Sequence, residues 1–287
     1  MIESRAQPRA SGWQASVRRS ALVWLVMLPL VIIVLAPMWH MLVYAFVPEP
    51  EQFAWPFQWL PLAPTLENLA SLLRNPEAPV AGWLLNTVIV TLGGTLAVVA
   101  ISALTAFAFA RLKFPGRDAI FFVMLVSIMV PTAVTLIPTF ILLRDIKLLN
   151  THVALWIPAL ANVGGVFLLR QQFFAIPREL EDAARVDGAG RMRIFLQICL
   201  PLVKPALMTL SILTFLLFWN DLLWPLIVIS DRNLLTLTVG ILFLSFREGI
   251  GVYFAAGLLS AVPALAFYLI FHKQIIEGVS AAGLSGR

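Results

Sequence analysis

Four lysines, three histidines and one cysteine are the residues from which phosphate, metal or nucleophilic chemistry could be built in this chain. None of Lys113, Lys147, Lys204 or Lys273 follows a glycine, so the Gly-Lys-Ser/Thr end of a phosphate-binding loop is missing. His40, His152 and His272 stand on separate segments, and neither a HExxH zinc motif nor a GxSxG nucleophile elbow occurs. Cys199 is alone, which excludes an intrachain disulfide and a cysteine-cluster metal site. The sequence therefore nominates no catalytic residue, no metal ligand and no cofactor of its own, and it predicts a protein that is not an enzyme. Any energy it uses must come from a partner or a gradient. Two features remain. One is a dense run of Asp, Glu and Arg between residues 178 and 193. The other is Asp221, an acidic residue inside a long apolar stretch, where a lone charge costs about 2.5–3.5 kcal/mol on insertion scales.

The elements that must position these residues follow from composition. Of 287 residues, 60% are apolar and only 12% charged, against about 25% charged in an ordinary soluble domain. So little charge cannot cover a water-soluble globule, which excludes a soluble enzyme, a nucleic-acid binder and a disordered tail as readings of the whole chain. Stretches without Asp, Glu, Lys or Arg run over 20–48, 78–110, 119–143, 148–169 and 249–272, and 205–230 is broken only by Asp221. A bilayer core about 30 Å thick needs about 20 apolar residues in a helix. The pattern predicts an all-α membrane protein with six transmembrane helices at 21–47, 82–110, 119–142, 153–174, 203–230 and 252–275. The first is too long for a removable signal peptide. The apolar segment 233–246 is too short to span and reads as a surface or re-entrant helix.

Placing the N-terminus in the cytoplasm puts fifteen of the twenty Lys and Arg residues inside. Only Arg74, Arg144, Lys147, Arg232 and Arg247 fall outside, and this asymmetry predicts cytoplasmic N and C termini. It also accounts for the net charge of +5 without any nucleic-acid partner. Five of the six spans contain proline (Pro29 and Pro37; Pro131 and Pro138; Pro158; Pro225; Pro263), each of which removes a backbone hydrogen bond and bends its helix. The external segment 48–80 carries seven of the nineteen prolines and predicts an irregular loop, with Trp55 and Trp59 as interfacial anchors or as docking points for an external partner. The expected organisation is a tail at 1–20, the first span with its external loop at 21–81, a core at 82–275 and a second tail at 276–287.

Within that core the charge-rich segment 175–202 reads as two short helices joined by a tight turn. Pro177 suits a helix start, and Glu179, Glu181 and Asp182 crowd a first turn where the helix dipole favours anions. Leu180, Ala183 and Ala184 share a face. Asp187-Gly188 is a turn pair whose glycine can take positive φ as a helix C-cap, followed by Ala189. Met192, Phe195, Leu196 and Cys199 share a face of the second helix, which Pro201 interrupts. Such a hairpin can lie on lipid headgroups or insert as a knob into a groove on a soluble partner, and physics alone leaves both open.

The same residues carry a family resemblance. Asp182-Ala183-Ala184, then Gly188 three residues on, then Ile198-Cys199-Leu200-Pro201 after nine more, resembles the EAA loop of ABC importer permeases, with Asp182 in place of the usual Glu. Trp219-Asn220-Asp221 with Pro225-Leu226, Phe114-Pro115-Gly116, and Gln274 with Glu277-Gly278 and Gly283 are similar to the maltose-transporter type of sugar permease; the ending Leu284-Ser285-Gly286 departs from it. The resemblance implies a type I ABC importer permease in the bacterial inner membrane. It implies that Glu181, Asp182, Ala183, Ala184, Asp187, Gly188, Ala189, Phe195 and Pro201 belong to a coupling loop seated on a separate ATP-binding cassette ATPase dimer, which holds the ATP and Mg. A second permease subunit, a different chain, and an extracytoplasmic solute-binding protein complete the expected assembly.

For the solute path the expected candidates are Asn220, Asp221, Asn86 and Asn162, whose polar groups can accept or donate hydrogen bonds to sugar hydroxyls. Interhelical hydrogen bonds or a structural cap would use the same groups. Competing functions are a permease for another small solute, such as a polyamine or amino acid, and an ion-coupled secondary carrier. The latter class uses several intramembrane charges.

Overall fold

The computed structural model describes residues 11–56, 58–244 and 249–284, with side chains between residues 23 and 273 of these. Arg5, Arg9, Arg247 and the ending Ser285 to Arg287 lie outside the described residues, as do the side chains of Gln274 and Glu277. Every regular element among the described residues is helical: α1 Ser11–Ala45, α2 Glu67–Arg74, α3 Val80–Arg111, α4 Arg117–Ser127, α5 Thr132–Asp145, α6 His152–Leu160, α7 Val163–Ala175, α8 Arg178–Val186, α9 Arg191–Ile194, α10 Leu200–Leu202, α11 Lys204–Asn220, α12 Leu223–Val228, α13 Leu237–Leu242 and α14 Ile250–Leu284. Three helices are long and apolar enough to cross a membrane (Val23–Ala45 within α1, α3, and Ile250–Lys273 within α14), and the number rises to six if each of three bent pairs is one span.

Those bent pairs correct the expectation of continuous spans. α4 and α5 meet at 105°, α6 and α7 at 50°, and the segment Arg191–Leu202 meets α11 at 79°. Pro131 is the N-cap of α5, so the first break is a proline break. Pro158 lies inside α6, and the chain breaks three residues later, where the Asn162 side chain accepts the Gly165 N–H at 2.7 Å and starts a new helix. The span expected at 203–230 is interrupted after Asn220. In a continuous helix Pro225 would have no N–H to give the Asp221 carbonyl and its ring would crowd that carbonyl, and Asp221 is instead extended. Pro29, Pro37, Pro138 and Pro263 sit inside unbroken helices. The segment expected as wholly irregular contains α2, in the proline-free run between Pro64 and Pro76.

The chain divides into two compact units. The first holds residues 1–71 and 246–258. Val43, Tyr44 and Val47, at the end of α1, pack with Ile250 and Phe254 of α14. Asn68 donates to the carbonyls of Ala45 and Val47 at 3.1 and 2.8 Å, and Gln52 accepts the Gly251 N–H at 3.0 Å. These buried amides satisfy backbone groups left open where α1 ends and α14 begins. Further up, α1 exposes Trp24, Leu25 and Ile33, each about two-thirds or more, which is the surface a lipid-facing helix presents.

The second unit holds residues 72–245 and 259–287 and is built around α3. Indole N–H groups tie its segments together. Trp83 donates to the Arg232 carbonyl at 2.7 Å, Trp156 to Val90 at 2.9 Å, Trp224 to Ala154 at 3.0 Å and Trp219 to Ser260 at 3.2 Å. Each supplies a large apolar body and places its one polar atom on a backbone acceptor. Asn86 donates to the carbonyls of Asn233 and Leu235, and Thr87 accepts the Leu237 N–H, so the segment before α13 is stapled to α3. α3 approaches its neighbours at Gly93 and Gly94. A Cβ on Gly94 would lie 2.5 Å from the Phe218 ring of α11 and 2.9 Å from Trp156 of α6. Small residues at a membrane helix interface permit this approach.

Gly94→Ala is therefore expected to destabilise the protein by about 1–3 kcal/mol through overpacking, and to lower the melting temperature of the purified protein in detergent. Gly82→Ala, whose Cβ would meet only Pro79 at 3.9 Å, is expected to leave it unchanged or raise it slightly.

Candidate functional site

The hairpin 175–202 is assembled by local rules first. Pro177, with φ −57° and ψ 133°, is the N-cap of α8, one residue before the position its type suggests. Glu179 and Glu181 occupy the first turn and Arg185 the last, as the helix dipole favours. At the other end Gly188 takes φ +80°. Its N–H donates to the Arg185 carbonyl at 3.0 Å, and the Ala189 N–H donates to Ala184 at 2.9 Å. These are the two bonds of a Schellman cap, which closes the α8 carbonyls and reverses the chain in two residues.

The second arm follows a different repeat from the one expected. α9 is a single turn and passes into a π turn at Phe195–Cys199 before α10. The wider π repeat presses Ile194, Phe195 and Cys199 into the core and leaves Met192 and Leu196 more than half exposed. Pro201 sits inside α10, and the break before α11 falls at Val203.

The seat beneath the hairpin is aromatic. Phe195 packs against Phe107 of α3 with ring centroids 5.0 Å apart, and Phe107 meets Phe173 of α7 edge-on at 5.7 Å. Leu169, Phe173, Ile194 and Cys199 are buried in the same cluster.

Into this apolar seat the chain places a pair of charges. The Glu181 side chain is 3% exposed and that of Arg111, the last residue of α3, is 4% exposed, with Arg111 Nε 2.5 Å from Glu181 Oε1. Arg111 Nη2 also donates to the Ile176 carbonyl at 2.7 Å, the Arg185 guanidinium reaches Glu181 Oε2 at 3.4 Å, and the Cys199 thiol lies 3.7 Å from Oε1. Asp182, one residue on, is exposed and paired with Arg185. The expected apolar face of α8 is thus turned: Glu181 is its buried residue, Ala184 is half-buried, and Leu180 and Ala183 face outward. Val186 is 89% exposed at the tip. Nothing lies within 4 Å of where a Cβ on Gly188 or Gly190 would stand, so the tip is open. Sequence reasoning counted Arg111 only as a positive charge, because nothing near it in the chain marks it as the partner of Glu181.

The polar residues expected along a solute path are dispersed. Asn86 and Asn162 spend their side chains on the backbone bonds already described. Asn220 is exposed and donates its amide to Leu216 of its own helix at 2.9 Å. Asp221 takes extended backbone angles after α11, and its carboxylate faces the Trp224 N–H at 3.5 Å. Trp219 is buried, and its carbonyl accepts the Thr238 hydroxyl.

Removing Arg111 leaves the buried Glu181 carboxylate with only the half-exposed Arg185, at 3.4 Å, to offset it, at a cost of up to about 3–5 kcal/mol. Arg111→Leu should therefore loosen the hairpin and expose Cys199, which is fully buried and is the only cysteine, to a maleimide probe. The double variant Arg111→Leu/Glu181→Leu should label more slowly than Arg111→Leu alone. Equal labelling of the two would contradict a buried electrostatic pair.

The profile of the family described as "Binding-protein-dependent transport system inner membrane component" matches residues 99–275, which include the hairpin and Trp219 to Asp221. The sn-glycerol-3-phosphate transport system permease protein UgpE of Escherichia coli is 33% identical over 255 residues, covering 86% of this chain and 91% of that protein, and the UgpE of Salmonella typhi is 34% identical over the same length. Among solved structures, a chain of a bacterial ABC transporter that imports the acidic polysaccharide alginate superposes with a TM-score of 0.80 over 94% of this chain and 99% of that one, at 22% identity. A chain of a bacterial alginate ABC transporter in complex with its alginate pentasaccharide-bound periplasmic protein gives 0.60 at 17% identity. The fold is shared with these structures, and by the family match and the UgpE identity the chain belongs to the inner membrane components of binding-protein-dependent transport systems.

Proposed function

We propose that this chain is one permease subunit of an ATP-driven importer for a carbohydrate, that it spans the inner membrane six times with both termini in the cytoplasm, and that the α8–α9 hairpin is the point at which a separate ATPase subunit drives it. The six spans are α1, α3, α4 with α5, α6 with α7, α11 with α12, and α14. The excess of Lys and Arg in the tail, the α3–α4 connection and the hairpin supports the orientation. A second permease subunit, an ATPase dimer and an extracytoplasmic solute-binding protein are the expected partners. The alginate named for one structural neighbour and the glycerol phosphate named for UgpE are both polyhydroxylated, which favours a carbohydrate over a polyamine or amino acid.

The observation that carries the coupling role is the combination of a rigid base and a bare tip. Glu181 and Phe195 are locked into the seat, while Val186, Gly188 and Gly190 face open space. A projection built this way transmits a push without absorbing it. Ion-driven transport would need more buried charge than Asp221 supplies along the spans. For the solute path we retain Asn220 and Asp221, which stand where α11 breaks and have acceptor oxygens to spare. Asn86 and Asn162 act in this reading as helix staples.

Gly188 tests the coupling role. A side chain there costs about 1 kcal/mol for the left-handed backbone and meets nothing inside the chain. Gly188→Phe should therefore fold and insert normally while abolishing uptake driven by ATP in proteoliposomes of the whole transporter. Gly188→Asn, which tolerates positive φ, should retain part of it. Full uptake by the phenylalanine variant would sink the assignment.

A further inference from the structure

Beside the hairpin seat is a cavity of about 550 Å³ that neither the coupling contact nor the solute path uses. Lys113, from the connection between α3 and α4, Arg117, the first residue of α4, and Arg178, from the first turn of α8, line it together with Phe114, Gly116 and Asp118. The lining is basic: three cations face one carboxylate. Asp118 is engaged by Arg117 through bonds of 3.0 and 3.2 Å, with Arg170 behind it at 3.7 Å. Lys113 and Arg178 are exposed and have no hydrogen-bond or ion-pair partner among the described residues. Gly116 takes φ +76° at the N-cap of α4 and brings no side-chain cap; the Arg117 N–H turns back to the Phe114 carbonyl at 3.4 Å, and the first-turn N–H groups after it open toward this end. Immediately beyond, α4 presents an apolar surface, with Phe122 and Val123 each about two-thirds exposed and Ile120 about half.

We propose that this cavity binds the phosphate headgroup of an anionic phospholipid of the cytosolic leaflet, with the acyl chains lying along the outward face of α4. The inference rests on the topology proposed above, which puts the ends of α3, α4 and α7 at the cytosolic membrane surface. A free phosphate would satisfy the cations equally well. The apolar face adjoining the cavity favours the lipid, because only a ligand with a charged head and an apolar tail matches both surfaces at once. Since Arg178 belongs to the hairpin and Lys113 to the α3–α4 connection, a bound headgroup would bridge the moving projection to the membrane-spanning body.

The test is native mass spectrometry of the complete transporter released from nanodiscs of phosphatidylglycerol or phosphatidylcholine. The wild-type protein should retain phosphatidylglycerol in preference to phosphatidylcholine. Lys113→Gln/Arg178→Gln should lose that preference by about 25-fold, at about five-fold per cation. Lys113→Arg/Arg178→Lys should keep it, and Arg74→Gln, an exposed cation on another connection, should leave it unchanged. Retention of phosphatidylglycerol by the double glutamine variant would overturn the proposal. So would displacement of the lipid by millimolar inorganic phosphate alone, which would mark a free-anion site. Loss of the ATPase subunit from the glutamine variant with an unchanged lipid count would also overturn it, by making the cavity a protein-docking site. The wild-type spectrum reports separately whether an ATPase subunit is bound, so a failure of the permease reading is distinguishable from a failure of this one.

Discussion

A carboxylate and a guanidinium, both withdrawn from solvent, hold the hairpin to the end of α3. Most charge pairs at a protein surface contribute little, because water competes for both partners. This one differs in what its loss would leave behind. Glu181 without Arg111 keeps only the half-exposed Arg185, at 3.4 Å, to balance its charge beside an aromatic seat, so the hairpin has essentially one way to sit. Arg111 reinforces the constraint by also holding the Ile176 carbonyl, just before α8 begins. One guanidinium therefore binds the approach to the hairpin and its first helix.

Rigidity at the base matters because the rest of the molecule is interrupted. Three pairs of helices are broken by 50° to 105°, and each break leaves backbone groups that lipid cannot satisfy. Side chains take up part of that duty. Asn162 faces an N–H at the break between α6 and α7, Asp221 faces one where α11 gives way to α12, and four indoles and Asn86 reach carbonyls in segments remote from their own. Close approach at Gly93 and Gly94 packs α3 tightly against Trp156 and Phe218. Through Phe195 the hairpin packs on Phe107 of α3 and Phe173 of α7, and tightly packed helices move as bodies rather than deforming.

The hairpin and the spans were legible to different degrees. The turn at Gly188 and the helix dipole pattern of α8 are local chemistry, and both are visible in the residue order. The second arm was misread in its face because a π turn changes the repeat on which the count depends. Proline was an uneven guide. Pro131 and Pro225 do mark breaks, while Pro158 does not stand at the break that follows it, since Asn162 can cap a new helix and Pro158 cannot.

Residence in the membrane, a helical architecture and a charged hairpin between two apolar segments were determined by the sequence alone. They depend on hydrophobic length, composition and short-range turn preferences, all of which are properties of contiguous residues. Tertiary structure alone decided that Glu181 is buried rather than solvated, that Arg111 is its partner, and that Asn86 serves the backbone before α13. Those outcomes depend on which surfaces meet when distant segments pack, and a polar side chain looks the same in a sequence whether its partner is water or a carbonyl far along the chain.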